Sequence, residues 1–531
     1  MDPETPFSMD RRFFLWSSLA ALAVPAAGWA ASAKVSLEEL TLADIAAAFA
    51  DGRLTSQHLT KLYLDRIEAM NHAGPALAAV IETNPKALTI AADLDRERTA
   101  KGSRGPLHGV PVLIKDNIET ADHLMTTAGS LALEGWYASQ DAPLVAKLRA
   151  AGAVILGKSN LSEWANFRST HAASGWSARG GQARNPYALN RSPSGSSSGS
   201  AVAVSANLCA LAVGSETDGS IVSPASVNGI VGLKPTVGLV SRSGIVPLSH
   251  SQDTAGPLTR TVRDAAVMLG IMAGLDANDA ASVAVGDKFQ PDYVRYLDPQ
   301  GLKGARLGIA RKFFADNAPL NGFLDECITK LKAAGAVIID PTELPLHGTT
   351  SAAETEVLLY EFKADINKYL TRLPGSMPAR SLADLIRFND AQAARELPYF
   401  DQELFRQAEA KGNLDEAAYA SARAKCLAAT REGGIDAVLE EHRLDAMVTL
   451  TNGPACFIDL VNGDADTGGC SSPAAIAGYP HITVPAGLYR GLPVGLSFFG
   501  TAFSEPTLIR LASGFEHATH ARAQPRFLPS V

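Results

Sequence analysis

Three short apolar runs, residues 110–114, 153–156 and 208–213, alternate along this chain with segments of helical spacing such as residues 144–150. A run with no polar face reads as a strand covered on both sides, and strand–helix alternation is the pattern of βαβ units. Strand character returns at Ile482-Thr483-Val484-Pro485 and at residues 494–499, ahead of a closing helix with Leu508, Leu511 and Phe515 on one stripe. The sheet is therefore expected to draw on both ends of the chain. The predicted class is α/β, a large mixed, mostly parallel central sheet with helices on both faces.

The 531 residues are 46% hydrophobic and 19% charged, an ordinary globular composition that excludes a disordered or fibrous chain. The net charge of −8, with no basic cluster, argues against nucleic acid as a partner. Near the start, Arg11-Arg12 precede an apolar run from Phe13 and small residues ending Ala31-Ser32-Ala33. This is the layout of a twin-arginine export signal, which implies a periplasmic or secreted protein without stable membrane association after the leader is removed. Ser17, Ser18, Pro25 and Gly28 break the run and weigh against a retained membrane helix. Residues 1–8 precede a second methionine, Met9, and read as a cloning leader. The expected organisation is residues 1–33 as leader plus signal and residues 34–531 as one domain. A helical insertion is expected around residues 352–448, where Ala, Glu, Lys and Arg dominate. Thr41 and Asp44 mark the first helix as a capping box, and a second starts near Ser56. The five cysteines show no metal-ligand spacing, so no metal is expected, and a Cys456–Cys470 disulfide and unpaired thiols both stay open.

Three local features bear on chemistry. Residues 192–200 form a Ser- and Gly-rich tract that a linker or a tight turn would explain. Twenty-odd residues on, Gly214-Ser215-Glu216-Thr217-Asp218-Gly219-Ser220 reads as a strand end, a glycine turn and a helix start. A serine there meets free backbone N–H groups of the kind a developing oxyanion requires, although a helix cap is the commoner role. In Leu113-Ile114-Lys115-Asp116-Asn117 an apolar run ends in lysine, and burial there would lower its pKa toward neutrality.

Taken together these features closely resemble the amidase signature family. The Ser tract, the segment ending at Ser220, and the continuation Gly229-Ile230-Val231-Gly232-Leu233-Lys234-Pro235-Thr236 carry the resemblance. So do Gly109-Val110-Pro111, Gly157-Lys158-Ser159-Asn160, Asp253-Thr254-Ala255-Gly256-Pro257 and Gly491-Leu492-Pro493-Val494-Gly495. The resemblance implies Ser220 as nucleophile, Ser196 after a cis peptide bond as proton relay, and Lys115 as base. It also implies Thr217, Asp218, Gly219 and Ser220 as the oxyanion-hole amides, with no cofactor. Asp218 stands where many members have glycine; it is expected to point away from the oxyanion or to bind something positive. Ser162-Glu163-Trp164-Ala165-Asn166-Phe167 and Gly175-Trp176-Ser177-Ala178-Arg179-Gly180-Gly181 look most like bacterial peptide amidases, implying a peptide amide substrate held by Asn166 and Ser197, packing being the plainer role for Asn166.

Other readings stay open at this point. Gly195-Ser196-Ser197-Ser198-Gly199 also satisfies the nucleophile elbow of α/β-hydrolases, which would make Ser197 the nucleophile of an esterase. The remaining alternatives are an amidase for other small amides, the amidase component of a transamidation complex and a noncatalytic binding protein.

Overall fold

The computed structural model describes residues 36–314, 316–345 and 348–531, so the expected leader and export signal, residues 1–33, lie outside the described residues. The chain enters through the predicted capping box. Thr41 Oγ1 accepts the Asp44 N–H at 3.2 Å, and Asp44 returns a carboxylate to the Thr41 N–H at 3.0 Å, opening helix Leu42–Ala50. Helix Ser56–Asn71 follows, with Leu59, Tyr63 and Ile67 turned inward at helical spacing.

The apolar runs become strands. In chain order these are β1 (Val80–Thr83), β2 (Pro111–Lys115), β3 (Val154–Ser159), β4 (Trp176–Ser177), β5 (Gly181–Gln182), β6 (Leu211–Glu216), β7 (Val231–Lys234), β8 (Thr254–Thr259), β9 (Arg306–Ile309), β10 (Val337–Ile339), β11 (Ala446–Leu450), β12 (His481–Tyr489) and β13 (Leu492–Phe499). Eleven of them form one sheet in the order β1-β3-β2-β6-β8-β7-β12-β13-β11-β9-β10, while β4 and β5 pair separately. The large mixed sheet with flanking helices is the predicted class. Its parallel ladders fall in two blocks, β3-β2-β6 and β11-β9-β10, and the strands that join them, like the β1 edge, pair antiparallel. The parallel share is thus smaller than alternation along the sequence suggests. Only Arg490 and Gly491 separate β12 from β13, and so short a link permits antiparallel pairing alone.

The helical insertion comprises Ser351–Thr371, Leu382–Ala391, Ala393–Glu396, Glu403–Glu409, Ala417–Thr430 and Asp436–His442. Its predicted end at 448 needs correction. Residues Ala446–Leu450 are a fully buried strand, β11, flanked by β9 and β13, and a five-residue apolar run carries no period that separates strand from helix. The insertion docks on the segment after β3 through aromatic rings. Phe362 stacks on Phe405 at 5.1 Å and meets Phe167 edge-on at 5.4 Å, and Trp164 meets Phe405 at 6.0 Å. Burying one such ring is worth about 2 to 3 kcal/mol, so this helical block is held as part of the core. All five cysteines are free thiols.

Candidate active site

Topology brings the distant segments together. Strands β2 and β6 are adjacent and parallel, so Lys115 and Glu216, their last residues, open on the same edge of the sheet. Strand β8 runs antiparallel beside β6 and begins at Thr254 opposite Glu216, which delivers Asp253 to that edge as well. Crevices outside the carboxyl ends of strands are where α/β sheets place ligands.

The Ser tract is a packed turn. Gly195–Ser196 is a cis peptide, and helix Ser198–Ser205 follows at once. At Gly199 an added Cβ would lie 2.2 Å from Ala79 O and 2.6 Å from the Asn160 backbone, so only glycine permits this approach. Ser197 Oγ donates to Ser215 O at 2.9 Å and accepts the Ser215 N–H at 3.2 Å. Both hydrogen-bonding capacities of that wholly buried hydroxyl go to pinning the tract to β6. This corrects the expectation of Ser197 as a substrate ligand and leaves no free hydroxyl for an elbow nucleophile.

Ser196 is placed differently. Its Oγ lies 2.8 Å from Lys115 Nζ, which also donates to Ser215 O at 3.1 Å and Ser215 Oγ at 3.0 Å. Asn117 Nδ2 donates to the same Ser215 Oγ at 2.9 Å. The ammonium is wholly buried, and desolvation lowers its pKa to about 7, the Asp253 and Glu216 charges opposing. In its neutral form Lys115 keeps two donors for Ser215 and turns its lone pair to the Ser196 hydroxyl. Ser215 and Asn117, which orient the amine, had no role in the sequence reading, since a hydroxyl at a strand end carries no distinctive signal.

The β6–helix turn sets the last component. Glu216 Oε2 accepts the Ile221 and Val222 N–H groups at 2.7 and 3.0 Å, closing the turn before helix Val222–Val227. The N–H groups of Thr217, Asp218, Gly219 and Ser220 have no acceptor among the described residues. Gly219 takes φ +75°, the left-handed conformation that lets successive N–H groups converge. The Thr217 hydroxyl donates to Asp253 at 2.6 Å, and Asp253 in turn accepts the Leu248 and Ser249 N–H groups, tying the turn to the strand beside it. Ser220 is 7% exposed, does not cap the helix, and accepts the Ser197 N–H through its carbonyl at 3.1 Å. A serine hydroxyl in a row of four free N–H groups, with a second serine bonded to a buried amine of lowered pKa on the same edge of the sheet, is a constellation suited to acyl transfer.

A family model for amidases matches residues 58–509. The chain belongs to the amidase family. This amidase is 52% identical to the native peptide amidase from Stenotrophomonas maltophilia, with a TM-score of 0.88 over 92% of this chain and 99% of that one. It is 47% identical to a probable amidase of Arabidopsis thaliana, over 94% of this chain and 93% of the relative. Identity to an amidase family protein from Bacillus anthracis is 36%, with a TM-score of 0.84 over 92% of this chain and 93% of that one.

Asn166 makes no hydrogen bond to Lys115, Ser196 or Ser220, but its segment starts beside Ser196. Ser162, at the base of its segment, donates its N–H to Ser196 O at 3.0 Å. From there Trp164, Ala165 and Asn166 run consecutively at φ 51°, 55° and 69°, a conformation that non-glycine residues adopt rarely and that clusters at ligand sites. Asn166 Oδ1 is buried without a hydrogen-bond partner among the described residues.

Proposed function

We propose that this amidase hydrolyses the C-terminal amide of peptides through an acyl-enzyme, with Ser220 as nucleophile, Ser196 as relay and Lys115 as base. The observation that carries the reading is the buried 2.8 Å contact of Lys115 Nζ with Ser196 Oγ beside the free N–H row that ends at Ser220. Neutral Lys115 takes the Ser196 proton while Ser196 takes that of Ser220, whose Oγ attacks the carbonyl carbon. The negative oxygen of the tetrahedral intermediate is held by the N–H groups of Thr217, Asp218, Gly219 and Ser220. Ser196 then protonates the nitrogen, ammonia departs, and water hydrolyses the ester by the reverse proton path.

The peptide amide as substrate is supported by 52% identity to the S. maltophilia peptide amidase and by the Asn166 segment, whose unpartnered Oδ1 suits an amide N–H. The experiment is ammonia release from a panel of peptide amides, the corresponding free peptides and simple aliphatic amides. Peptide amides are expected to be turned over with kcat/KM at least about tenfold above acetamide-like substrates, the scale on which pocket contacts discriminate. No activity on any peptide amide would overturn the substrate assignment.

Because Lys115 acts as the neutral amine, kcat/KM is expected to rise with pH through about 7 and level off above it. The sign follows from the group: lowering the pH protonates the base. A rate that falls over this range would contradict the role of Lys115. The proposal extends to export of the protein to the periplasm or medium, supported by the sequence of residues 9–33 alone.

A further inference from the structure

Asp218 stands within the free N–H row, where a carboxylate aimed inward would oppose a developing oxyanion. Its side chain is instead hydrogen-bonded to the carboxyl of Glu354, which projects from the first insertion helix, Ser351–Thr371. Of the two expectations for Asp218, pointing away from the oxyanion or binding something positive, the second is not met by this partner, which is another acid. Two carboxyls in contact resist ionising together. Burial first, and the Asp218 charge second, push Glu354 well above the usual carboxylate range.

Two further observations point the same way. Asp218 Oδ1 is buried and has no donor among the described residues, a need that a proton on Glu354 would meet. Glu354 Oε1 accepts Gln252 Nε2 at 2.9 Å, and the same nitrogen reaches Thr217 O at 3.4 Å. Glu354 therefore engages two successive residues of the segment, Asp218 directly and Thr217 through Gln252.

We propose that Glu354 is a positioning residue for the amidase reaction, engaging the Asp218 carboxyl and, with Gln252, fixing the geometry of the N–H row. The inference rests on the reading above that these N–H groups bind the oxyanion. Other titratable groups near the pair do not replace this proton. Cys426, on Ala417–Thr430, and Cys470 are buried thiols pushed up to about 11 and about 12. Glu216 and Lys234 face Asp218 from beneath the turn, where Lys234 Nζ is already committed to Tyr479 O at 2.5 Å. Glu354 also lines a cavity of about 120 Å3 with Thr430, Gly469 and Ser472.

The test is kcat and KM on the best amide substrate for the parent, Glu354→Gln and Glu354→Ala, with Ser220→Ala as control. Glutamine keeps a donor toward Asp218 that cannot ionise. Glu354→Gln is expected to hold kcat within about threefold of the parent, because the amide keeps an acceptor for Gln252 as well as that donor. Glu354→Ala is expected to lose about tenfold to a hundredfold in kcat with KM nearly unchanged, less than loss of an oxyanion donor itself. A Glu354→Gln enzyme that loses kcat by more than about tenfold, or a Glu354→Ala enzyme that keeps the parent's kcat, overturns the proposal. Hydrolysis surviving in Ser220→Ala would instead overturn the catalytic reading on which it rests, so the two failures are told apart.

Discussion

Ser220→Ala is expected to lower kcat for amide hydrolysis by about 10^4- to 10^6-fold while the protein stays folded. The alanine removes the atom that forms the acyl bond, and no neighbouring hydroxyl can substitute. Ser196 Oγ is engaged with Lys115 and Ser197 Oγ with the Ser215 backbone. Stability should change little, because the Ser220 side chain neither caps the helix nor fills an apolar contact, and its carbonyl link to the Ser197 N–H survives the substitution. Two measurements check this: ammonia release under saturating amide, and labelling by a fluorophosphonate probe followed by peptide mapping. A probe adduct on Ser197 in the parent, or substantial turnover by the variant, would sink the assignment.

Lys115→Ala is expected to cost about 10^3- to 10^4-fold in kcat, the scale on which one positioned proton acceptor contributes. Its amine is the one titratable group in contact with Ser196 among the described residues. The double variant with Ser220→Ala should be no slower than Ser220→Ala alone, since residues that act as a unit do not add. Alanine also leaves a cavity and removes one of the two donors to the Ser215 carbonyl. Lys115→Met, which keeps the volume, therefore separates lost chemistry from lost packing, and it should be as inactive as the alanine variant. An esterase of the elbow type would keep most of its activity in both variants. The structure already disfavours that alternative, because Ser197 follows a cis peptide and a loop, whereas an elbow follows a strand.

Much of this was legible in the sequence because local pattern and local structure coincide. The capping box at Thr41, the apolar runs that became β2, β3 and β6, and the glycine turn after Glu216 are each set by neighbours within a few residues. Other elements were hidden because their partners are remote. β11 looks like the end of a helical block until β9 and β13 flank it. The antiparallel centre of the sheet depends on which strands meet, a property absent from any single run. Glu354 lies 134 residues after Ser220 in a helix of ordinary composition, and only the docking of that helix through Phe362 and Trp164 brings its carboxyl to Asp218.

The amino-acid sequence by itself marked out the candidate reacting groups: a lysine ending an apolar strand, a serine in a small-residue tract, and a serine after a glycine turn, in the order that marks the amidase family. The tertiary structure alone decided their chemical states. Lys115 is poised near neutrality because the folded sheet removes it from water; Ser197 is silent because β6 occupies its hydroxyl; and the Asp218 carboxyl meets that of Glu354 from a distant helix. Desolvation and partner choice are properties of what surrounds an atom, and a chain acquires those surroundings only on folding.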